Sequence, residues 1–302
     1  MGAFTAHCCT IQSFAHRIAV ADPHLELVQR MQIASLPAIG HVDCIAIEGA
    51  DARRFAQSQF SGDVDALAPG YWQWNAWLNA QGRVQALMHL TDPGDGTLLA
   101  VLRGGNADVI RNGLSRFLLR RKATMRVKSF TARVGGPQPE AELLLDAGTL
   151  ALGYGLRSMW LDPVMVPDTA FDKAAHAAWR LADIQAGWPS LPRDDEPRFI
   201  PQALGLERLG AAAFKKGCYP GQEIVARLHY RGGHKYRLCH LQGAVPLDRG
   251  EARAADGSIS ARVLDAVVEN GTCHALAVIG IQHTSEINIL GNIYRISNAF
   301  QP

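Results

Sequence analysis

The chain lacks the features by which several classes of protein are recognised. Its six cysteines include no Cys-x-x-Cys pair and no spacing that suits zinc or a stable iron–sulfur cluster. No apolar run approaches the roughly 18 residues that indicate a membrane-spanning helix. The formal net charge of +2 is too small to indicate a nucleic-acid-binding protein. We therefore expect neither a cluster carrier nor a membrane protein, and we do not expect direct nucleic-acid binding.

The first 20 residues also lack the pattern of a signal peptide, because Arg17 and two histidines interrupt any apolar run. Without a disulfide-like cysteine framework, this predicts a protein of a reducing cytoplasm. The length of 302 residues and the hydrophobic content of 48% are sufficient for two or three domains with a substantial core.

The hydrophobic and turn residues predict an α+β fold with mixed or antiparallel sheets. Asp51 is the expected N-cap of a helix that reaches Phe60. Further helices are expected over residues 106–121 and 172–184. Strands are expected over residues 41–47, 71–78, 82–90 and 98–103, the second and third being joined by a hairpin turn at residues 79–82.

Four parts follow from this pattern. From residue 234 onward, short strand-like runs recur between turn residues, which is typical of a small β-barrel or sandwich. The expected parts are a poorly specified leader (1–36), an N-terminal α+β part (37–135), a second α+β part (136–233) and a C-terminal β-barrel (234–302).

The most basic stretch of the chain belongs to the helix expected over residues 106–121 and the residues just after it. Cations near a helix C-terminus offset the macrodipole, so a solvated helix end is favoured over an RNA-docking surface. The helix itself is expected to bury Val109, Leu114, Phe117 and Leu118. The basic residues are Arg116, Arg120, Arg121, Lys122, Arg126 and Lys128.

The greatest density of reactive side chains lies at residues 216–223, KGCYPGQE, which we call the cysteine motif. A strand is expected at its end, over residues 223–228. Lys216 and Cys218 are two residues apart, so an extended backbone would place both side chains on one face. An adjacent ammonium group favours the thiolate form of a cysteine. The motif therefore predicts a reactive Cys218 in a loop held by a strand.

A buried structural role is the main alternative for Cys218. A single cysteine is more often a small buried hydrophobe than a nucleophile. The flanking lysines, glycines and proline argue against a core position. No Cys-His-Asn set can be placed from the sequence, so a protease-like triad is not expected.

The cysteine motif and its flanks, FIPQA at residues 199–203 and RGGHK at residues 231–235, resemble the YgfZ family. Members of that family are folate-binding proteins related to the aminomethyltransferase, or T-protein, of the glycine cleavage system. Weaker matches extend the resemblance over residues 40–240: EGAD at 48–51, a Gln-x-Gln helix at 55–64, QGR at 81–83 and an aromatic-to-Gly-x-Pro segment at 179–189.

The resemblance implies a T-protein-like fold around a central cavity, with a tetrahydrofolate site in the N-terminal part. It also implies a role in assembling or repairing iron–sulfur enzymes, among them one that methylthiolates tRNA. Lys216 and Cys218 match the family's functional lysine and cysteine and form the expected catalytic pair, while Trp179 matches a folate-contacting tryptophan. A second such tryptophan would fall near Val42, where this chain has none, and the candidates to replace it are Trp72, Trp74 and Trp77.

Further folate contacts are expected within and just after the cysteine motif. Glu223 would accept hydrogen bonds from the amino and ring N–H groups of a pterin. An ion pair between Glu223 and Arg227 is the alternative for this carboxylate. Tyr219, Gln222 and Arg227 complete the expected set around the folate.

An aminomethyltransferase that moves a one-carbon unit to tetrahydrofolate is the rival function. Kinship of fold supports it, but a shared fold does not fix function. That chemistry needs no cysteine, whereas the strongest motif of this chain is built around one. The sequence leaves open whether Cys218 ligates iron, carries a one-carbon adduct or takes part in redox exchange.

Overall fold

Two antiparallel sheets dominate the structure. The computed structural model describes residues 30–146, 149–192 and 198–300, so most of the predicted leader lies outside the described residues. None of the helices in these residues is both long and apolar enough to cross a membrane. The helices with both ends described are α1 (Ala52–Gln59), α2 (Ala107–Ser115), α3 (Lys173–Ala186) and α4 (Gln222–Arg231).

The first sheet has eight strands within the described residues, in the order β2-β3-β4-β1-β5-β8-β7-β6, and neighbouring strands are antiparallel. Because side chains alternate along a strand, the sheet has two apolar faces. Ile45 and Ile47 pack with α1 and α2, whereas Cys44 and Ala46 belong to the core on the α3 side. The strands are β1 (Ala38–Glu48), β2 (Tyr71–Leu78), β3 (Val84–Asp92), β4 (Leu98–Leu102), β5 (Thr124–Gly135), β6 (Leu143–Asp146), β7 (Thr149–Gly153) and β8 (Ser158–Asp162).

The second sheet contains the C-terminal strands in the order β10-β11-β12-β9-β14-β13. Helix α3 connects the two sheets, since Arg180 Nε donates to both carboxylate oxygens of Asp265 on β11 at 3.1 Å. The short strands predicted for this region are confirmed, while their closure into a barrel and the division into four parts stay predictions. The strands are β9 (Tyr236–Gly243), β10 (Gly250–Arg253), β11 (Ile259–Glu269), β12 (Thr272–Gly280), β13 (Glu286–Ile289) and β14 (Asn292–Phe300).

The mixed α+β architecture and the predicted N-terminal strands are confirmed. Strands β2, β3 and β4 are antiparallel neighbours, as the turn signals between them predict. The helix predicted over residues 172–184 is α3, and Asp172 caps it by accepting a hydrogen bond from Ala175 N at 2.9 Å. Gly187 ends α3 at φ 67°, where a Cβ would lie 2.5 Å from the Phe300 ring.

Asp51 is the N-cap residue of α1, as predicted, but its side chain makes no capping hydrogen bond to the helix. The Asp51 carboxylate accepts a hydrogen bond from Lys122 N at 2.7 Å instead of from the helix. The Asp51 N–H also donates to the Lys122 carbonyl at 3.1 Å. These two bonds tie the start of α1 to the turn before β5. They also hold the Asp51 carboxylate away from the helix amides.

Helix α2 is shorter than predicted and buries a different face. Asn106 caps it by accepting hydrogen bonds from the N–H groups of Asp108 and Val109. Val109 and Phe117 are 66% and 43% exposed, so the predicted apolar face was wrong at both positions. The helix ends at Ser115, and the residues that face the sheet are Ala107, Ile110 and Leu114.

The basic stretch is for the most part not a helix end. Arg116 is the C-cap residue of α2, but Arg120 is exposed in the turn that follows. Arg126 and Lys128 lie on β5. The helix macrodipole stabilises cations only within the last turn of a helix. Of these four residues it therefore accounts for a basic residue at Arg116 alone.

Candidate functional site

The cysteine motif leads into helix α4, so the strand predicted over residues 223–228 was wrong. The adjacent β-branched residues Ile224 and Val225 indicated a strand. Gln, Glu, Ala, Arg and Leu are good helix formers, and they outnumber the β-branched pair in this segment. Val225 is the fully buried residue of α4. A strand with one buried face would bury every second residue, so this burial pattern suits a helix that lies on the surface.

Gly221 determines how α4 starts. Its φ of 75° is in the left-handed region, which glycine adopts without strain. A Cβ at this position would lie 2.5 Å from the Asn79 carbonyl oxygen and 2.7 Å from Gly82 Cα. The glycine therefore lets the cysteine motif pack directly on the β2–β3 turn.

Lys216 binds the segment that follows α1. Its Nζ donates hydrogen bonds to the carbonyls of Phe60 at 2.7 Å and Gly62 at 2.6 Å, and it lies 5.3 Å from the centre of the Tyr219 ring. Burial lowers the pKa of Lys216 to about 8, and the carboxylates of Asp63 and Asp65 oppose the shift.

Ser61 strengthens the same junction from the other side. This residue is fully buried, and its hydroxyl donates to the Ala211 carbonyl at 2.5 Å while accepting from Ala76 N at 3.1 Å. The Ala213 N–H donates to the Ser61 carbonyl at 2.8 Å. The chain entering the cysteine motif is thus hydrogen-bonded to a segment that is itself bonded to β2.

Cys218 is exposed, whereas Cys44, Cys239 and Cys273 are buried. Burial raises the pKa of the Cys239 thiol to about 11 and also raises the pKa values of Cys44 and Cys273. The extended geometry expected between Lys216 and Cys218 is wrong, because residues 214–217 form a bend. The Lys216 side chain reaches the two buried carbonyls, while Cys218 lies in solvent.

A polar cluster that the sequence did not predict joins α4 to the residues that precede the cysteine motif. The Glu207 carboxylate contacts His229 Nδ1 at 2.8 Å and accepts a hydrogen bond from Gln202 Nε2 at 2.6 Å. The His229 ring stacks on Phe214 with the ring centres 4.0 Å apart. Burial, and then the nearby Glu207, raise the pKa of Tyr219 to about 12. Gln202 belongs to the FIPQA segment, which was the one sequence signal for this cluster.

Two buried polar atoms beside this cluster lack a hydrogen-bond partner among the described residues. They are Tyr219 Oη and Gln202 Oε1. Buried polar atoms are nearly always paired, with protein, water or a ligand. Water or a bound group with matching donors or acceptors would satisfy each of them.

The remaining motif residues lie on the first two turns of α4. Gln222 is half-buried, and Glu223 and Arg227 are exposed. The ion pair considered for Glu223 and Arg227 is not formed in the described structure, although a helix places the two residues four apart on one side. Their side chains are therefore available to solvent or a ligand.

Trp179 lies on α3 and faces the core, in the same hydrophobic cluster as Tyr219 of the motif. It is 7% exposed, and the Arg157 guanidinium lies over its ring at 4.1 Å from the centre. Asp183 holds Arg157 in place and also binds Arg103 at 2.7 Å. A flat ligand reaches this face of Trp179 only if Arg157 moves, and the role of Trp179 stays a prediction.

The three tryptophans considered as replacements near Val42 do not share one location. Trp72 and Trp74 pack around His89 on the α3 side of the first sheet, at ring distances of 4.5 and 4.3 Å. Trp77 belongs to the other core, with α1 and α2. Burial lowers the pKa of His89 well below its ordinary value, so this aromatic cluster surrounds a neutral imidazole.

A groove of about 630 Å³ separates the β2–β3 turn and the end of α4 from the second sheet. Basic side chains line it at Arg83, Arg198, Lys235 and Arg262, and apolar walls are supplied by Phe199, Ile200, Leu228 and Val278. Its volume is in the usual range for small-molecule sites. No group of three or more potential metal ligands occurs in the described ranges.

The fold is that of the aminomethyltransferases of the glycine cleavage system. The solved structure of aminomethyltransferase T from Bartonella henselae matches 90% of this chain and 88% of its own, with a TM-score of 0.62 and 14% identity. No protein-family model matches the chain.

Sequence comparison identifies the family. The chain is 30% identical over 223 residues to the tRNA-modifying protein YgfZ of Cronobacter sakazakii, covering 65% of this chain and 68% of that protein. It is also 30% identical over 237 residues to the tRNA-modifying protein YgfZ of Vibrio vulnificus, covering 72% of each. The chain belongs to the YgfZ family, which confirms the resemblance carried by the cysteine motif.

Proposed function

We propose that this protein binds a reduced folate and supports the assembly or repair of iron–sulfur enzymes, including enzymes that modify tRNA. The observation that carries the proposal is the exposure of Cys218 on a loop held at both ends, while Cys44, Cys239 and Cys273 are buried. The relatives are named tRNA-modifying proteins, which supports the tRNA part of the proposal. The proposed place of action is the cytoplasm, where tRNA is modified.

The lining of the groove supports a folate as its ligand. A folate joins a flat pterin and a benzoyl ring to a glutamate with carboxylate groups. Phe199 and Leu228 offer apolar walls for the rings, while Arg83 and Lys235 offer cations for the carboxylates. We propose the groove as the central cavity that the family resemblance implies.

Unpaired polar atoms also support a pterin as ligand, because a pterin carries both donors and acceptors. Gln202, whose Oε1 has no partner in the described residues, is next to Ala203 in the groove wall. Tyr219 supplies a second unpaired atom. Glu223, Gln222 and Arg227 are proposed as further contacts on α4. A contact with Trp179 would require the Arg157 guanidinium to leave its ring.

An exposed thiol at Cys218 offers three kinds of chemistry. A thiolate is a good ligand for iron, a nucleophile that can hold a one-carbon group, and a partner in thiol–disulfide exchange. Each of these requires a thiol that iron, a bound folate or a client protein can reach. The buried cysteines of the chain do not meet this requirement.

One-carbon transfer to tetrahydrofolate is the second candidate function. The match to an aminomethyltransferase over 90% of the chain favours it. An identity of 14% carries the fold and not the activity. The reaction also gives no role to an exposed cysteine, so we place it second.

Deletion of the gene tests the client part of the proposal. The activities of iron–sulfur enzymes and the level of methylthiolated tRNA should fall in the deletion strain and recover with the wild-type gene. Titration of the purified protein with tetrahydrofolate tests the cofactor part and should show saturable binding. Unchanged iron–sulfur enzymes would reject the first part, and no binding would reject the second.

A further inference from the structure

The loop that carries Cys218 is fastened to the first sheet and its connections at both ends. On one side, Lys216 donates to the carbonyls of Phe60 and Gly62 at 2.7 and 2.6 Å. On the other side, Gly221 packs so closely on the β2–β3 turn that it leaves no room for a Cβ. Cys218 lies between these points and is exposed. The thiol is thus presented by a short bridge between two fixed segments.

The Lys216 ammonium group is committed to this contact. A lysine has three N–H donors and no acceptor, and two donors of Lys216 go to the two backbone carbonyls. Asp63 and Asp65 lie near enough to favour its positive charge, and the face of the Tyr219 ring adds a cation–π contact. These contacts offset part of the cost of burying the charge, although burial still lowers the pKa of Lys216 to about 8.

Lys216 and the neighbouring Lys215 carry equal charges in different settings. Water screens the field of an ammonium group strongly at a solvent-exposed position. Lys215, one residue earlier, carries an equal charge but is exposed. It is therefore a control that has the charge of Lys216 without its buried position. Comparison of the two lysines separates charge from anchoring.

We infer that Lys216 is a positioning residue, which holds the Cys218 loop through the carbonyls of Phe60 and Gly62. The consequence for activity rests on the proposed function of Cys218, but the contact can be tested without it. The Ala213 N–H is a local reporter, since it donates to the Ser61 carbonyl within the same junction.

Amide hydrogen exchange at Ala213 tests the contact in the full chain. Lys216→Met keeps the length of the side chain but removes its donors, and it should speed exchange of this amide about tenfold. Lys216→Arg keeps the charge and donors and should exchange close to the wild-type rate, as should the control Lys215→Met. If Lys216→Met does not fold, Lys216→Gln gives the same test. Equal exchange in the Lys216 and Lys215 variants would overturn the inference.

The pH profile of Cys218 alkylation by iodoacetamide separates positioning from activation by charge. If Lys216 only holds the loop, the alkylation profiles of Lys216→Met and Lys215→Met should have the same midpoint. A midpoint that moves to higher pH in Lys216→Met alone would identify an electrostatic activator and would overturn the inference.

Complementation in cells connects the contact to function. Lys216→Met should lower the recovery of iron–sulfur enzyme activity several-fold, and Lys215→Met should not lower it. Full complementation by Cys218→Ala would reject the proposed function while leaving the contact untouched. Wild-type exchange at Ala213 in Lys216→Met would reject the contact and leave the proposed function standing.

Discussion

Gly221 of the cysteine motif packs directly against Gly82 of the β2–β3 turn. A Cβ at Gly221 would lie 2.7 Å from Gly82 Cα and 2.5 Å from the Asn79 carbonyl oxygen. The contact joins two segments that the sequence marks separately, QGR at residues 81–83 and KGCYPGQE at residues 216–223. It fixes the start of α4 and one end of the Cys218 loop on the first sheet.

Replacing Gly221 by alanine should destabilise the protein. The left-handed φ of 75° and the close backbone atoms both oppose a Cβ, and we expect a loss of about 2–3 kcal/mol in the free energy of unfolding. Gly217→Ala is the matched control, because no atom lies within 4 Å of its would-be Cβ. Urea unfolding of both variants measures the difference. Equal midpoints would show that the turn moves aside at little cost.

The protein should lose stability in acid through His240. Its Nε2 lies 3.0 Å from His274 Nδ1, and burial followed by His274 lowers the pKa of His240 from 6.5 to about 4. Since the folded state binds this proton less readily than the unfolded chain, the contribution is complete above about pH 6.5 and is lost as the pH falls toward 4.

Urea unfolding near neutral pH and near pH 4.5 checks the role of His240. His240→Gln should reduce the acid loss of unfolding free energy by about 1–2 kcal/mol. His283→Gln, at a partly exposed histidine, should not change it. The same acid loss in wild type and His240→Gln would assign the pH dependence to other groups.

Binding of tetrahydrofolate should quench tryptophan fluorescence, with Trp179 as a contributor. The smaller ring of Trp179→Phe offers less stacking area than an indole and should weaken binding by up to about tenfold, since ring stacking contributes about 0.5–1.5 kcal/mol in full. Trp77→Phe is the control, because Trp77 lies in the opposite core. Equal affinity in wild type and Trp179→Phe would remove Trp179 from the site and would fit a ring that Arg157 keeps covered.

Charge in the groove should matter for folate binding, and charge on the basic stretch should not. Reversal of Arg83 and Lys235 to glutamate should weaken tetrahydrofolate binding at least about tenfold, because two groove-lining cations are replaced by anions. Reversal of the exposed Arg116 and Arg120 changes the net charge equally and should leave both binding and complementation intact. Loss of complementation in this folded second variant would identify the basic stretch as a docking surface.

Much of the fold could be predicted from local patterns. Strands β1 to β4 alternate or end at strong turn signals, and α3 has a capping aspartate and a terminal glycine, so their periodicity and punctuation agree. Helix α4 could not be predicted in this way. Its Ile224-Val225 pair favours a strand, whereas the conformation of Gly221 and its packing on the β2–β3 turn are set by tertiary contacts.

The candidate site was also predicted only in part, because some of its features are local in sequence and others depend on tertiary contacts. The cysteine motif is contiguous, so the sequence identifies Lys216 and Cys218 without knowledge of the fold. The direction of the Lys216 side chain depends on two carbonyls that lie 156 and 154 residues away along the chain. No local sequence pattern can predict a contact over such a separation. The contact between Glu207 and His229 is likewise a product of the fold.

Complementation by Cys218→Ala shows whether the exposed thiol is needed for function. The variant should fold like the wild type, because an exposed loop side chain leaves no cavity when it is shortened. In a strain that lacks the gene, it should fail to restore methylthiolated tRNA and iron–sulfur enzyme activity, while Cys273→Ala, which removes a buried thiol, should restore both. Full recovery with Cys218→Ala at equal protein levels would contradict the account.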